Sequence, residues 1–241
     1  MGSDPLAEAL EDPTRSIIRA PGGTGDVLLV AFGGVASQIG GLPPFEFLSV
    51  ARRYAARQVF VRDLRQTWYQ GGAPGGAGTA ADFTDPLRAI VEEEAPRRIV
   101  TLGVSAGGWG AISFGLALDA DVAIAFSPQT FTSHRLRRLH RETRWAEETA
   151  NVDRLRHPDV CRDLRPLIAD AARAGTGPAI DVHVGRRARG DLRHVRRIRR
   201  FPNVTVTEHD AEHNTARTLR ETGALDAIIE RAIDPGPGGG S

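Results

Sequence analysis

Between Thr101 and Gly115 the chain reads TLGVSAGGWGAISFG, and Ser105 stands in it where a nucleophile would stand. An apolar, β-branched run, Arg97 to Val104, leads into the serine, and a helix-compatible stretch follows it. A serine on a sharp strand-to-helix turn has its hydroxyl raised above the sheet, and small residues two before and two after it let strand and helix approach closely. Gly103 and Gly107 occupy those two places. Glycine costs a helix interior ~1 kcal/mol relative to alanine. The cluster Gly107, Gly108 and Gly110 is therefore explained if the turn has no room for side chains. A structural Gly-rich turn or a phosphate loop at a helix N-terminus uses similar letters. Against the phosphate loop, no Gly-Lys-Ser/Thr ending follows, the chain has no lysine, and no G-x-G-x-x-G follows its first core strand.

A serine hydroxyl needs a base to accept its proton. Of the seven histidines, His134, His140 and His157 lie in an arginine-dense helical region, His183 inside a strand run and His194 in an arginine run. His209 ends the last strand run, and His213 follows in the loop HDAEHNTARTLRE. If the three groups follow one another in the order serine, acid, histidine, that loop holds the base, which favours His213 with His209 as runner-up. The acid must fix the imidazole tautomer from a loop at the same sheet edge. Ser127-Pro128-Gln129 offers no carboxylate, whereas GRRARGD places Asp191 six residues past Gly185. Asp181, Asp210 and Asp63 remain as substitutes. Backbone donors for a developing oxyanion are expected from Ala106, next to the nucleophile, and from the loop Phe32-Gly33-Gly34-Val35, with Gly34 preferred. Trp68, Tyr69, Trp109 and Phe131 are candidates for an apolar acyl pocket, although such aromatics more often pack a core.

The elements that must position these groups alternate. Asp26 to Phe32, Gln58 to Asp63, Arg97 to Val104, Asp121 to Ser127, Ala179 to Gly185 and Asn203 to His209 read as strands, and SIIRA near Ser16 as an antiparallel edge strand. Helical candidates fill the gaps: PPFEFLSVARRYAA, FTDPLRAIVEEEA with Thr84 or Asp85 as N-cap and Pro86 at the first helical position, and ARTLRETGALDAIIERAI. This alternation predicts one α/β domain over residues 1–241, a three-layer sandwich around a mostly parallel sheet. Residues 129–177 contain no strand run and read as two or three helices, either a cap over a ligand site or ordinary covering helices with long connections. Residues 234–241, DPGPGGGS, read as a disordered tail.

The chain has 241 residues, 41% hydrophobic and 25% charged, with a formal net charge of +1, which is the balance of a folded globular protein. No apolar run approaches the ~18 residues of a membrane span, and the first residues lack the pattern of a secretory signal. With a lone cysteine, Cys161, no internal disulfide framework is available, and a cytoplasmic location is expected. Eight arginines between Arg186 and Arg200 form either a solvated helix face or a surface that steers an anionic partner. They lack the interleaved aromatics of a nucleic-acid surface.

FGG after the first core strand, GVSAGG at the turn, the Asp191 loop and EHN before the final helix together resemble the α/β-hydrolase superfamily. VRDLRQTWYQGG, AFSPQTF and HNTARTLRETGAL are similar to small bacterial members. The resemblance covers Asp26 to Ile233 outside most of the helical insertion. It implies Ser105 as nucleophile, His213 as base, Asp191 as acid, no metal or organic cofactor, and a small-molecule or carrier-bound acyl substrate. It departs from the usual pattern in a reduced sheet and in Phe32-Gly33 where His-Gly is common. The implied chemistry is hydrolysis of an ester, thioester or amide; the alternatives are acyl transfer by the same mechanism and a non-catalytic binding protein on the same scaffold.

Overall fold

A computed structural model describes Ala9 and residues 12–35 and 47–235. Its strands are β1 (Ile17–Arg19), β2 (Val27–Phe32), β3 (Arg57–Val61), β4 (Arg98–Val104), β5 (Val122–Phe126), β6 (Ala179–Gly185) and β7 (Val204–His209). They form a single sheet in the order β1-β3-β2-β4-β5-β6-β7. β1 runs antiparallel to β3, as expected for SIIRA, and every other pairing is parallel. β2 lies between β3 and β4, so the strand order reverses there. Crevices at such switch points, outside the carboxyl ends of the strands, are where open α/β sheets bind ligands.

Among the described residues the helices are α1 (Leu48–Ala51), α2 (Ala81–Glu94), α3 (Ala106–Ala117), α4 (His134–Leu139), α5 (Ala146–Arg154), α6 (Leu164–Ala174), α7 (Arg189–Arg196), α8 (Thr215–Glu221) and α9 (Ala224–Ile233). The alternating faces of the strands explain the layers. Leu29, Ala31, Leu102, Ile124 and Phe126 pack under Leu219, Leu225 and Ile229 of α8 and α9. On the other face, Leu28, Val30 and Val61 meet Phe83, Leu87 and Phe114 of α2 and α3. Beside them, Ala123, Val182 and Val184 meet Ile112, Ile168 and Val195 of α3, α6 and α7. α3 is apolar almost throughout and buried along most of its length, the pattern of a helix packed on several sides. Its Phe114 stacks on Phe32, while Tyr69 meets both rings edge-on; each such aromatic pair adds roughly 0.5–1.5 kcal/mol beyond its burial.

Three helical expectations change. α2 begins at Ala81, not near Pro86, because Phe83, fully buried with Leu87 four residues on, must already lie on the helical face. Pro86 therefore sits inside the helix. The final helix is two, broken at Gly223, whose φ of 75° is left-handed and open to glycine without strain. Of the stretch beginning at Pro43, only Leu48–Ala51 is helical among the described residues, and Pro43 to Glu46 lie outside them; so does nearly all of the 234–241 tail.

The 129–177 segment holds three helices, α4 to α6, within the expected two or three. α6 belongs to the covering layer: its Leu164 and Ile168 join the core beside α3. Residues 130–163 reach the same core through the fully buried Val152, and their two ends are tied to α7 and to the residue that follows it. Thr130 N–H donates to His194 Nδ1 at 3.0 Å, and Arg197 forks onto both Asp163 oxygens at 2.7 Å.

The glycines at the turn answer to close approach. A Cβ on Gly103 would lie 2.1 Å from the Gly107 carbonyl oxygen, and one on Gly107 would lie 2.1 Å from that of Phe32. Both obstacles are backbone and cannot rotate away. Gly107→Ala is expected to lower stability by about 1–3 kcal/mol, the usual cost of overpacking, and urea unfolding checks it; a wild-type midpoint would contradict the close approach.

Candidate active site

Ser105 sits between β4 and α3 with φ 56° and ψ −114°, outside the regions open to ordinary L-residues. Holding such a conformation costs about 1–3 kcal/mol, and the surrounding backbone fixes it. Ser105 N–H donates to the Phe126 carbonyl at 2.9 Å, and the Ser105 carbonyl accepts from Gln129 N–H at 3.2 Å and Trp109 N–H at 3.3 Å. Its Oγ is buried, with no hydrogen-bond partner among the described residues.

The C-terminal strands bring the acid and the imidazole together. Asp191 lies in the first turn of α7, fully buried, and its Oδ2 is 2.7 Å from His213 Nδ1. The His213 side chain is 30% exposed. Because Nδ1 faces the carboxylate, Nε2 is the nitrogen left to act. The loop carrying His213 is tied down on two sides. Arg187 N–H donates to the Ala211 carbonyl, and Thr215 Oγ1 meets Ser127 Oγ at 2.9 Å, joining the loop to the end of β5. No hydrogen bond joins Ser105 Oγ to His213.

The substitutes for the acid are engaged elsewhere. Asp63 is fully buried and accepts from the N–H groups of Arg65, Thr67 and Tyr69, shaping the loop after β3; burial pushes its carboxyl up against those bonds. Asp210 is exposed and pairs with Arg186 and Arg187. Asp181 lies 3.2 Å from His183 Nε2, and His183 Nδ1 is 2.9 Å from His209 Nε2, so the runner-up base is spent in a second, separate chain. Burial, then the neighbouring His183, lowers His209.

A feature invisible in the sequence lies behind Asp191. Arg144, from the turn between α4 and α5, places Nη1 2.7 Å from Asp191 Oδ1 and forks onto Glu142 at 2.6 and 2.9 Å. Glu142 in turn lies 3.3 Å from the buried His194. Burial alone would raise the Asp191 carboxyl, but the hydrogen bonds and charges of His213 and Arg144 outweigh it and hold it below the usual carboxylate range. Glu142 shows the same balance, burial opposed and overcome chiefly by Arg144 and His194. Arg144 is correspondingly raised, its two carboxylates outweighing burial. No spacing rule links position 144 to 191; the pair meets only through the fold.

On the opposite side of the turn, Tyr69 Oη donates to the Gly33 carbonyl at 2.6 Å, and Gly33 N–H donates to the Val61 carbonyl at 2.9 Å. The amide of Gly34 belongs to the same peptide unit as the Gly33 carbonyl, so it points away from Tyr69, and it has no acceptor among the described residues. Ala106 is the first residue of α3, where helical N–H groups lack intrahelical acceptors.

The aromatic pocket candidates are all buried. The indole N–H of Trp68 donates to Gln129 Oε1 at 2.6 Å, Trp109 packs with Ile112 and Val182, and Phe131 stacks on His194 at 4.0 Å. A cleft of about 400 Å³ opens instead beside the chain neighbours of Ser105 and His213, lined by Val104, Asn214, Phe47, Leu225, Arg217 and Arg220. Much of the arginine run is paired: Arg197 with Asp163, Arg199 with Glu208, Arg186 and Arg187 with Asp210. Among the described residues no three His, Cys, Asp or Glu side chains converge as metal ligands would, and no helix is long and apolar enough to cross a membrane.

Groups whose folded acidity is strengthened contribute stability above the unfolded carboxylate range, about pH 4, and lose it as pH falls through the lower folded value. Asp191 and Glu142 are such groups. Native stability is therefore expected to drop as pH falls below about 4, and Glu142→Gln to flatten that dependence, as read by urea unfolding between pH 2 and about 6.

No family model matches the chain, and no curated protein matches it. Solved structures do. The capsule O-acetyltransferase of Neisseria meningitidis serogroup A aligns with a TM-score of 0.65 at 14% identity, over 89% of this chain and 90% of that one. The fluorophosphonate-binding serine hydrolase F of Staphylococcus aureus aligns with a TM-score of 0.58 at 16% identity, over 87% and 82%. MenH from the same organism aligns at 0.58 and 10%, over 89% and 96%.

Proposed function

We propose, from the α/β-hydrolase fold that this chain has, that it is an enzyme of acyl transfer with Ser105 as nucleophile, His213 as base and Asp191 as acid. The observation that carries this reading is the 2.7 Å contact of a fully buried Asp191 with His213 Nδ1, at the same sheet edge as a serine with strained backbone. A carboxylate so placed fixes the tautomer with a lone pair on Nε2 and stabilises the imidazolium once formed.

The steps follow. Nε2 takes the proton of Ser105 Oγ as the oxygen attacks an ester, thioester or amide carbonyl. The tetrahedral oxyanion accepts from Ala106 N–H and Gly34 N–H, each donor being worth roughly 3 kcal/mol. The imidazolium then protonates the leaving group; water, deprotonated by His213, attacks the acyl-Ser105 ester, and the imidazolium returns that proton to Ser105 Oγ as the acid leaves. The missing Ser105–His213 hydrogen bond fits a free enzyme, in which such bonds are often long and tighten only with substrate. The apolar cleft at Val104 and Asn214, rimmed by Arg217 and Arg220, suits an acyl group carried on an anionic leaving group. Residues 130–163, which deliver Arg144 to Asp191, are the part of the helical insertion that this reading assigns to covering the site.

A second reading keeps the same acyl-enzyme and passes the acyl group to a hydroxyl. The similarity to an O-acetyltransferase favours it, and only the acceptor differs.

A fluorophosphonate probe tests both readings against a non-catalytic scaffold. Native protein is expected to label, Ser105→Ala not at all, and His213→Ala at least about 10³-fold more slowly. Absence of labelling under conditions that modify a control hydrolase would overturn the enzyme reading. Tyr69→Phe, which frees the Gly33 carbonyl, is expected to slow labelling about tenfold with little change in circular dichroism; a wild-type rate would remove Gly34 from the oxyanion site.

A further inference from the structure

Resting on the reading of Ser105, His213 and Asp191 as a catalytic set, we propose that Arg144 is a positioning residue that locks the Asp191 carboxylate against His213 and sets the charge behind it. Four observations meet at this side chain. Its Nη1 lies 2.7 Å from Asp191 Oδ1, the oxygen that His213 does not use. Both Nη2 and Nε bind Glu142, so the guanidinium plane is fixed by a second carboxylate, itself almost fully buried. The guanidinium lies across the backbone of Gly190, where a Cβ would fall 2.6 Å from Arg144 Cζ. Finally, the turn that presents it is bracketed by Arg141 (φ 50°) and Trp145 (φ 57°), two non-glycine residues in the left-handed region.

The arrangement does two things. With Oδ1 bound to a cation and Oδ2 to Nδ1, Asp191 has no rotation left that keeps both bonds, so the imidazole is held in one plane. The guanidinium also offsets part of the negative charge that His213 faces. Glu142 works against that offset, so positions 142 and 144 together set the net charge behind Asp191. The turn also places the Trp145 ring beside His213, with centroids 6.1 Å apart. Among the described residues, the charged and titratable groups linked to His213 are Asp191 directly, Arg144 and Glu142 behind it, and His194 through Glu142; Glu212 and Asp210, the latter paired with Arg186 and Arg187, precede it in its own loop.

The test is the pH dependence of fluorophosphonate labelling of the full chain between pH 5 and about 9, the window spanning histidine titration. Arg144→Met is expected to move the acid limb up by about one pH unit, because the imidazolium then faces two uncompensated carboxylates, and to lower the plateau about tenfold through the loosened carboxylate. Arg144→Lys keeps the charge and loses the fork, so its limb stays at the wild-type pH while its plateau falls. Glu142→Gln moves the limb the other way, to lower pH, and decides the matter if Arg144→Met does not fold. Wild-type limbs in Arg144→Met and Glu142→Gln, with labelling intact, would overturn the role of Arg144 and leave the catalytic set standing. No labelling of the wild-type protein would overturn both.

Discussion

A single backbone conformation, that of Ser105, governs the layout of this molecule. A φ of 56° with ψ of −114° lets β4 turn into α3 within one residue. The turn is compatible with packing only because strand and helix touch through main chain, the Gly103 and Gly107 backbones lying within reach of Gly107 and Phe32 oxygens. Strain of a few kcal/mol is a considerable share of a domain's ~5–15 kcal/mol net stability. It is offset by the buried strands on either side and by the aromatic cluster of Phe32, Tyr69, Phe83 and Phe114.

The same turn orders its neighbourhood. Gly107 brings α3 against the end of β2, where Tyr69 holds the Gly33 carbonyl and thereby aims the next amide. Tyr69 is held in turn by Asp63, whose buried carboxylate gathers the N–H groups of the loop after β3. On the far side, β5 and β6 carry the Ser127–Thr215 contact and the Asp191 turn. Fold and site are thus one hydrogen-bonded system along a single edge of the sheet.

Periodicity and turn chemistry made most of this legible in advance. Six β-branched runs predicted six parallel strands to within a residue or two, those of β4 and β5 nearly continuous in apolar residues as buried parallel strands are. The serine turn announced itself through glycines that a helix otherwise rejects, and the loop after β6 with the serine, acid, histidine chain order singled out Asp191 and His213, which the fold pairs at 2.7 Å. What escaped prediction depends on distant contacts. The start of α2 is set by Phe83 finding Tyr69 and Phe114, which overrides the preference of Pro86 for a first turn. Arg144 is one arginine among many until α7 brings Asp191 to it. Trp109, offered for a pocket although such rings more often pack a core, is a core residue; an aromatic ring suits either, and only the fold decides.

Ser105 belongs to the middle of the chain, whereas Asp191 and His213 follow β6 and β7, the last two strands added to one side of the sheet. During synthesis the ribosome therefore delivers the strained Ser105 turn long before the Asp191–His213 pair. Until β7 docks and its loop is fastened to Ser127, a nascent chain holds that turn with neither the carboxylate nor the imidazole beside it.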